Sequence, residues 1–331
     1  MTTRDLAIDL GTASIRVWGR GRGVILNQPS VTAVNVRSGA VLAMGHDAYT
    51  LADRSSGHIV VERPLRGGAV IDFGTTARML EMVLKRCGAT RRQRPKVLLC
   101  VPSTITHVER RAVEEAAHRA GAAHAYLMEQ PMAAAIGAGL PVQEPVGSMI
   151  VDIGGGATEV AVLSLGGIVT SKAVKVGGFD IDTAIRDHVR DEYGLAIGER
   201  TAEELKMAIG AAYPQQEEPK AEIRGRELAS GLPKSIVIAA EEVREAIDEQ
   251  VTAILRAVLD TLADCPPELV QDVLANGIAL VGGGALLQGL DARIAHESQV
   301  KVVIGPAPLD AVISGAGHTL EAFENLKHLI G

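Results

Sequence analysis

Aromatic side chains are scarce: 3 Phe, 1 Trp and 4 Tyr in 331 residues. A surface that stacks nucleobases needs more of them. An excess of positive charge is also missing. The chain has 33 Lys and Arg against 40 Asp and Glu, a net charge of −7. Nucleic-acid binders usually show the opposite balance, so that class is disfavoured and no nucleic-acid partner is expected. The only cysteines are Cys87, Cys100 and Cys265, and none forms a Cys-x-x-Cys pair. This argues against a disulfide framework or a zinc site and fits idle thiols in a reducing compartment. No run reaches the ~18 apolar residues of a spanning helix. The longest candidate, 132–142, is short and rich in Ala and Gly. Met1 leads almost directly into a strand-like stretch, with no apolar core of a signal peptide. The expectation is a cytoplasmic protein.

Glycine is plentiful, at 36 residues, above the usual ~7%. Hydrophobic residues make up 47% and charged residues 22%, ordinary for a folded globular chain. At roughly 150 residues per domain, the length suits about two domains or one bilobed one. Short apolar runs alternate with helical patterns, which argues for α/β. Strands are expected at 6–10, 97–101, 149–153, 159–163, 277–281 and 300–304. Thr106 to Glu109 reads as a capping box that opens a helix to Ala120, with Gly121 as its stop. Thr201 to Glu204 reads as a second box. From 241 to 263, apolar residues recur on one helical face, and Pro266-Pro267 ends the pattern. Segments 57–68 and 213–220 read as loops.

One motif occurs twice. Ile8-Asp9-Leu10-Gly11-Thr12 and Val151-Asp152-Ile153-Gly154-Gly155 share the order apolar, Asp, apolar, Gly, small. Each follows a strand-like run, and they lie about half the chain apart, which suggests two related lobes. Ile71-Asp72-Phe73-Gly74-Thr75 looks like a third copy but leads into a helical pattern. There Asp72 or Thr75 reads as a helix N-cap. A strand that ends in such a turn directs backbone N–H groups into one space. Two facing turns would clamp phosphates, helped by the Thr12 and Ser14 hydroxyls. Asp9 and Asp152 would then hold Mg²⁺ through waters. Gly282-Gly283-Gly284 adds a third turn between a strand and an apolar stretch, where free N–H groups favour an anion. It carries neither the Gly-Lys-Ser/Thr of a P-loop nor dinucleotide-fingerprint spacing.

Together these motifs resemble the MreB/Mbl family of the actin-like ATPase superfamily. The resemblance covers nearly the whole chain. It is carried by IDLGTA at 8–13, VPS at 101–103, VERRAVEEAA at 108–117 and EQPMAAAIGAGLPVQEPVG at 129–147. It continues through MIVDIGGGATEVAV at 149–162, GERTAEELK at 198–206, IRGRELASGLPK at 223–234 and GIALVGGGALLQGL at 277–290. It implies an actin-like two-lobed α/β fold, each lobe with a ribonuclease-H-like core and a smaller insert. Lobe I would be 1–139 with 311–331, its insert near 32–66. Lobe II would be 140–310, its insert near 182–240. ATP and Mg²⁺ would sit between them. By position, Asp9, Gly11, Thr12, Ala13 and Ser14 form the first phosphate loop, and Asp152, Gly154, Gly155 and Gly156 the second. Glu203, Glu204 and Lys206 would line the nucleoside. Gly282, Gly283, Gly284, Ala285 and Leu286 would complete that side.

The sequence departs from the family at positions that handle water. Gln130 stands where a glutamate is usual, and Ala157 where a threonine is usual. Gln130 and Asp152 are therefore the catalytic candidates, and hydrolysis is expected to be slow or absent. Ser14-Ile15 replaces Asn-Thr. The segment 85–96 is basic, and Arg91, Arg92 and Arg94 are either solvated or dock weakly on anionic lipid. The resemblance implies a head-to-tail filament of like subunits, working with cell-wall synthesis and shape machinery. Two alternatives stay open: a non-polymerising nucleotide-binding regulator, and a small-molecule kinase with Asp180 or Asp182 as base. The plain reading of those two aspartates is a helix N-cap.

Overall fold

The computed structural model describes residues 4–52, 57–66, 69–70, 73–89 and 94–330. In chain order the first half forms β1 (Leu6–Leu10), β2 (Ser14–Gly19), β3 (Gly23–Pro29), β4 (Thr32–Asn35), β5 (Ala40–Met44), α1 (His46–Ala52), β6 (Ile59–Glu62), β7 (Leu65–Arg66) and β8 (Ala69–Val70). Then come α2 (Phe73–Arg86), β9 (Lys96–Val101), α3 (His107–Arg119), β10 (His124–Glu129) and α4 (Gln130–Gly137). The second half forms β11 (Ser148–Ile153), β12 (Thr158–Ser164), β13 (Gly167–Val174), α5 (Gly178–Tyr193), β14 (Leu195–Ala196), α6 (Glu199–Ile209), β15 (Lys220–Glu227) and β16 (Pro233–Ala239). It ends with α7 (Ala240–Ala263), α8 (Pro267–Asn276), β17 (Ile278–Val281), α9 (Leu290–Ser298), β18 (Val302–Ile304), α10 (Ala311–Glu321) and α11 (Phe323–Leu326).

Two five-stranded sheets share one topology. Their orders are β10-β9-β1-β2-β3 and β13-β12-β11-β17-β18. In each, an antiparallel meander of three strands continues into two parallel strands. The repeated Asp turn is thus one feature of a repeated sheet. β1 and β11 are apolar on both faces and buried along most of their length, as interior strands require. Two three-stranded sheets, β5-β4-β6 and β14-β15-β16, stand beside the large ones.

Helices α4 and α10 join the two large sheets. Their buried Met132, Ala133, Ile313 and Ala316 share one core with Ala7 and Leu98 of the first sheet and Ile150 and Val281 of the second. Small residues let the two helices touch backbone to backbone. A Cβ at Gly315 would sit 1.8 Å from the Ala133 carbonyl oxygen, and one at Gly137 1.9 Å from that of Ala311. Neither position has room for a methyl group.

Several local expectations hold. Thr106 caps α3: its Oγ1 accepts from the Glu109 N–H at 3.2 Å, and the Glu109 carboxylate accepts from the Thr106 N–H at 2.9 Å. Gly121 follows with φ +111°. Other expectations need correction. Thr201 caps nothing; it lies inside α6, whose N-cap is Gly198, three residues earlier. Segment 57–68, read as a loop for its Pro and Gly, contains β6 and β7, because Ile59 to Glu62 pairs with β4. Thr75 lies inside α2, and Asp72 is outside the described residues.

The α4–α10 contact yields a prediction. Gly315→Ala should lower unfolding free energy by at least about 2 kcal/mol, the scale of overpacking in a close-packed core. Urea melts of the variant and the parent protein check this. An unchanged midpoint and slope would show that the helices can separate without penalty.

Candidate functional site

The two Asp turns are built alike. After β1, the Gly11 N–H donates to the Ser14 carbonyl at 3.1 Å; after β11, the Gly154 N–H donates to that of Ala157 at 2.9 Å. They face each other closely, since a Cβ at Gly155 would come 2.7 Å from that of Ala13. The start of α5 fixes the second turn: the Gly178 and Phe179 N–H groups donate to the Gly154 and Gly155 carbonyls at 3.0 and 2.8 Å. The third turn closes from the side. Gly282 has φ +81°, and a side chain there would strike the Ile153 carbonyl at 2.3 Å and Asp152 Oδ1 at 2.5 Å. Only glycine satisfies both conditions.

These turns surround a cleft of about 450 Å³. Its walls include Asp9, Gly11, Thr12, Ala13, Ser14, Gln130, Asp152, Gly154, Gly155, Gly156, Glu203, Lys206, Gly282, Gly283, Gly284 and Leu286. The structure therefore gathers most of the residues singled out from sequence. Two of them it does not. Glu204 points away from the cleft and pairs with Arg200 one turn back at 2.9 Å. Glu203, Lys206 and Met207 share the cleft face of α6, with Gly210 just past its end, and one further residue turns Glu204 off it. Ala285 is buried in the core of the second sheet instead of lining the cleft.

Other wall residues escaped the sequence reading. Phe179 lies at the cleft, and the Arg63 guanidinium from the segment after β6 rests over its ring at 4.1 Å. Arg16, Glu159, Gln288, Pro308 and Leu309 also line it, as does Asp182, named above as a possible kinase base. Asp182 faces Lys206, with Nζ 2.7 Å from Oδ1, and Nζ also reaches the Gly178 carbonyl at 3.2 Å. Asp180 accepts from the Gly177 N–H at 2.9 Å, so it braces the start of α5 from inside the first turn. Neither aspartate is the N-cap, which is Gly177. Of the basic segment, Arg91 and Arg92 lie outside the described residues. The Arg94 guanidinium donates to the Gly121 and Ala122 carbonyls at 3.2 and 2.9 Å.

The floor of the cleft is acidic. Burial pushes Asp9 up to about 6, opposed by Arg16 and by a hydrogen bond from Gln130. Burial pushes Asp152 to about 7, helped by repulsion from Glu159 and Asp9. Glu159, which accepts from the Ser103 N–H at 3.0 Å, is raised to about 6, again chiefly by burial. Glu129, the carboxylate next to Gln130, pairs with Arg110 at 3.5 Å and does not line the cleft.

This floor fits a hydrated divalent cation. Asp9 Oδ1 is buried and accepts no hydrogen bond, and raised carboxylates are those a cation would relieve. Among the described residues no three His, Cys, Asp or Glu side chains converge to hold an ion directly. Mg²⁺ asks for no such cage, because it keeps several waters and adds phosphate oxygens.

The raised carboxylates predict how stability depends on pH. An acid with a folded pKa above its unfolded value contributes stability below the unfolded pKa and loses it as pH rises through the folded one. The ordinary aspartate value is 3.8, and here the values are about 6 and about 7. The free chain should therefore lose stability between about pH 4 and pH 7. Asp152→Asn should flatten that slope and raise stability at pH 8 by up to about 4 kcal/mol, a shift of about three pKa units at ~1.4 kcal/mol each. Thermal melts from pH 4 to 8 check it; parallel curves for variant and parent would refute it.

Comparison with known proteins places this geometry. The family model described as MreB/Mbl protein matches residues 3–328. The Escherichia coli K12 cell shape-determining protein MreB is 47% identical over 330 residues, covering 98% of this chain and 95% of that protein. The Bacillus subtilis cell shape-determining protein Mbl is 42% identical over 327 residues, covering 98% of each. The crystal structure of MreB5 of Spiroplasma citri bound to ADP superposes with a TM-score of 0.91 at 35% identity, covering 97% of this chain and 98% of that one. The fold is accordingly actin-like, and the chain belongs to the MreB/Mbl family.

Proposed function

We propose that this chain binds ATP or ADP between its two large sheets and assembles head to tail into filaments that organise cell shape. One observation carries the reading: two matching Asp-x-Gly turns, 143 residues apart at Asp9 and Asp152, face each other across one cleft. The ADP held by the related Spiroplasma protein supports it. The remaining N–H groups of the two turns, at 12–14 and 155–157, would bind phosphate oxygens. Asp9 and Asp152 would hold Mg²⁺ through waters, and the ion would neutralise phosphate charge. Glu203 and Lys206 would flank the nucleoside, with Gly282, Gly283, Gly284 and Leu286 opposite.

A ligand gripped by both turns favours one arrangement of the two lobes, with boundaries at 139/140 and 310/311. A contact between unlike faces of identical subunits, with a rotation that does not close into a ring, propagates a filament. Self-association is thus the primary partnership, with wall-synthesis machinery served by the polymer. The kinase alternative loses support, because Asp180 braces a helix and Asp182 is paired with Lys206.

Hydrolysis should be slow. A water attacking phosphorus needs a group that orients it or takes its proton. The Gln130 amide hydrogen-bonds Asp9, and an amide is no base. Ala157 offers no hydroxyl. Gln130→Glu combined with Ala157→Thr should raise phosphate release by about tenfold or more, toward the range of general-base catalysis. No gain in the double variant would remove these two positions from the explanation. Pelleting and electron microscopy with ATP, ADP and no nucleotide test assembly. Filaments that depend on ATP are expected. Nucleotide binding without filaments in any tube would favour the regulator instead.

A further inference from the structure

The two Asp turns match in backbone but differ in charge at one pair of equivalent positions. Seven residues after Asp9 the chain reaches Arg16; seven residues after Asp152 it reaches Glu159. In each hairpin the later residue pairs directly across from the aspartate: Asp9 with Arg16, and Asp152 with Glu159. One half of the floor therefore carries an aspartate and a cation. The other carries two carboxylates. Among the described residues lining the cleft, the cationic side chains are Arg16 and Lys206. Lys206 is matched by Asp182 at 2.7 Å. Arg16 is largely buried, with its side chain 14% exposed, and its field reaches both Asp9 and Asp152.

Arg16 is also anchored where the third wall meets α10. Its Nε lies 3.3 Å from Asp310 Oδ1, and its Nη1 donates to the Leu309 carbonyl. Asp310 is half exposed, so water can take over its charge if the guanidinium turns toward another anion. A guanidinium keeps its charge at any pH the protein survives, and its planar fork matches phosphate oxygens.

We propose that Arg16 is a phosphate-facing residue that supplies, from within the protein, part of the positive charge this acidic cleft would otherwise draw from a divalent cation. This rests on the cleft being a nucleotide site. The consequence is retention of nucleoside di- and triphosphates when divalent cations are removed. It also gives Arg16 a mechanical role, since a phosphate that engages it loosens the link from β2 to Asp310.

The experiment measures the affinity of a fluorescent ADP analogue for the purified chain in Mg²⁺ and in EDTA. Parent protein, Arg16→Met and Arg16→Lys are compared. A charge-assisted hydrogen bond of about 1.5–3 kcal/mol corresponds to roughly 10–100-fold in affinity. The parent should weaken by no more than about tenfold on chelation, and Arg16→Met by a further 10–100-fold. Arg16→Lys, which keeps the charge without the fork, should fall between. A parent that loses more than about a hundredfold in EDTA overturns the proposal, and needs no variant to fold. So does an equal chelation ratio in parent and Arg16→Met. Absence of binding by the parent even in Mg²⁺ would instead overturn the nucleotide reading itself.

Discussion

The α4–α10 contact is the constraint on which the rest of the molecule depends. Two helices touch backbone to backbone because Gly137 and Gly315 leave no side chain between them. Their outer faces complete a core that draws on both large sheets. Both helices also begin at the cleft. Gln130 is the first residue of α4, and Val312 the second of α10; both line the walls. The packing that joins the sheets thus also sets how their Asp turns face one another. A methyl group at either glycine would be felt at the cleft as well as in stability, since close-packed interiors transmit displacement.

Against this rigid frame the cleft stores electrostatic cost. Asp9, Asp152 and Glu159 are buried close together and all prefer the neutral form more than free carboxylates do. Such a cluster lowers stability near neutral pH unless positive charge arrives. Arg16 offsets part of it, and a hydrated cation brought with phosphates would offset the remainder. Stability sacrificed at a binding site and recovered on binding couples ligand to conformation. That coupling is what a filament gated by nucleotide requires.

Much of this was legible in the sequence. The strands at 6–10 and 149–153 lie where the apolar runs place them, because interior strands are hydrophobic on both faces. The Asp-x-Gly turns and the triple glycine were visible because glycine marks positions that tolerate no side chain. What remained hidden depends on rotation and on tertiary contact. The resemblance implies Glu204 as a cleft residue beside Glu203, but one residue of helix is a rotation of about 100°, which turns it away to Arg200. Ala285 turns inward because residues 283–286 coil into a short 3₁₀ turn, which a Gly-Gly-Gly-Ala string does not announce. Phe179 meets Arg63 across 116 residues of chain, a contact with no local signature. Arg16 did have a signal: it lies as far from Asp9 as Glu159 lies from Asp152. Only the hairpin register shows that this spacing puts each directly opposite its aspartate.

The central claim is that the two matching turns clamp a single nucleotide. Calorimetric titration of the purified chain with ADP and Mg²⁺ tests this most directly. The account predicts one site per chain, and binding that Asp152→Asn weakens in Mg²⁺. Absence of binding heat at every temperature tried, together with an unshifted melting temperature in saturating nucleotide, would contradict it.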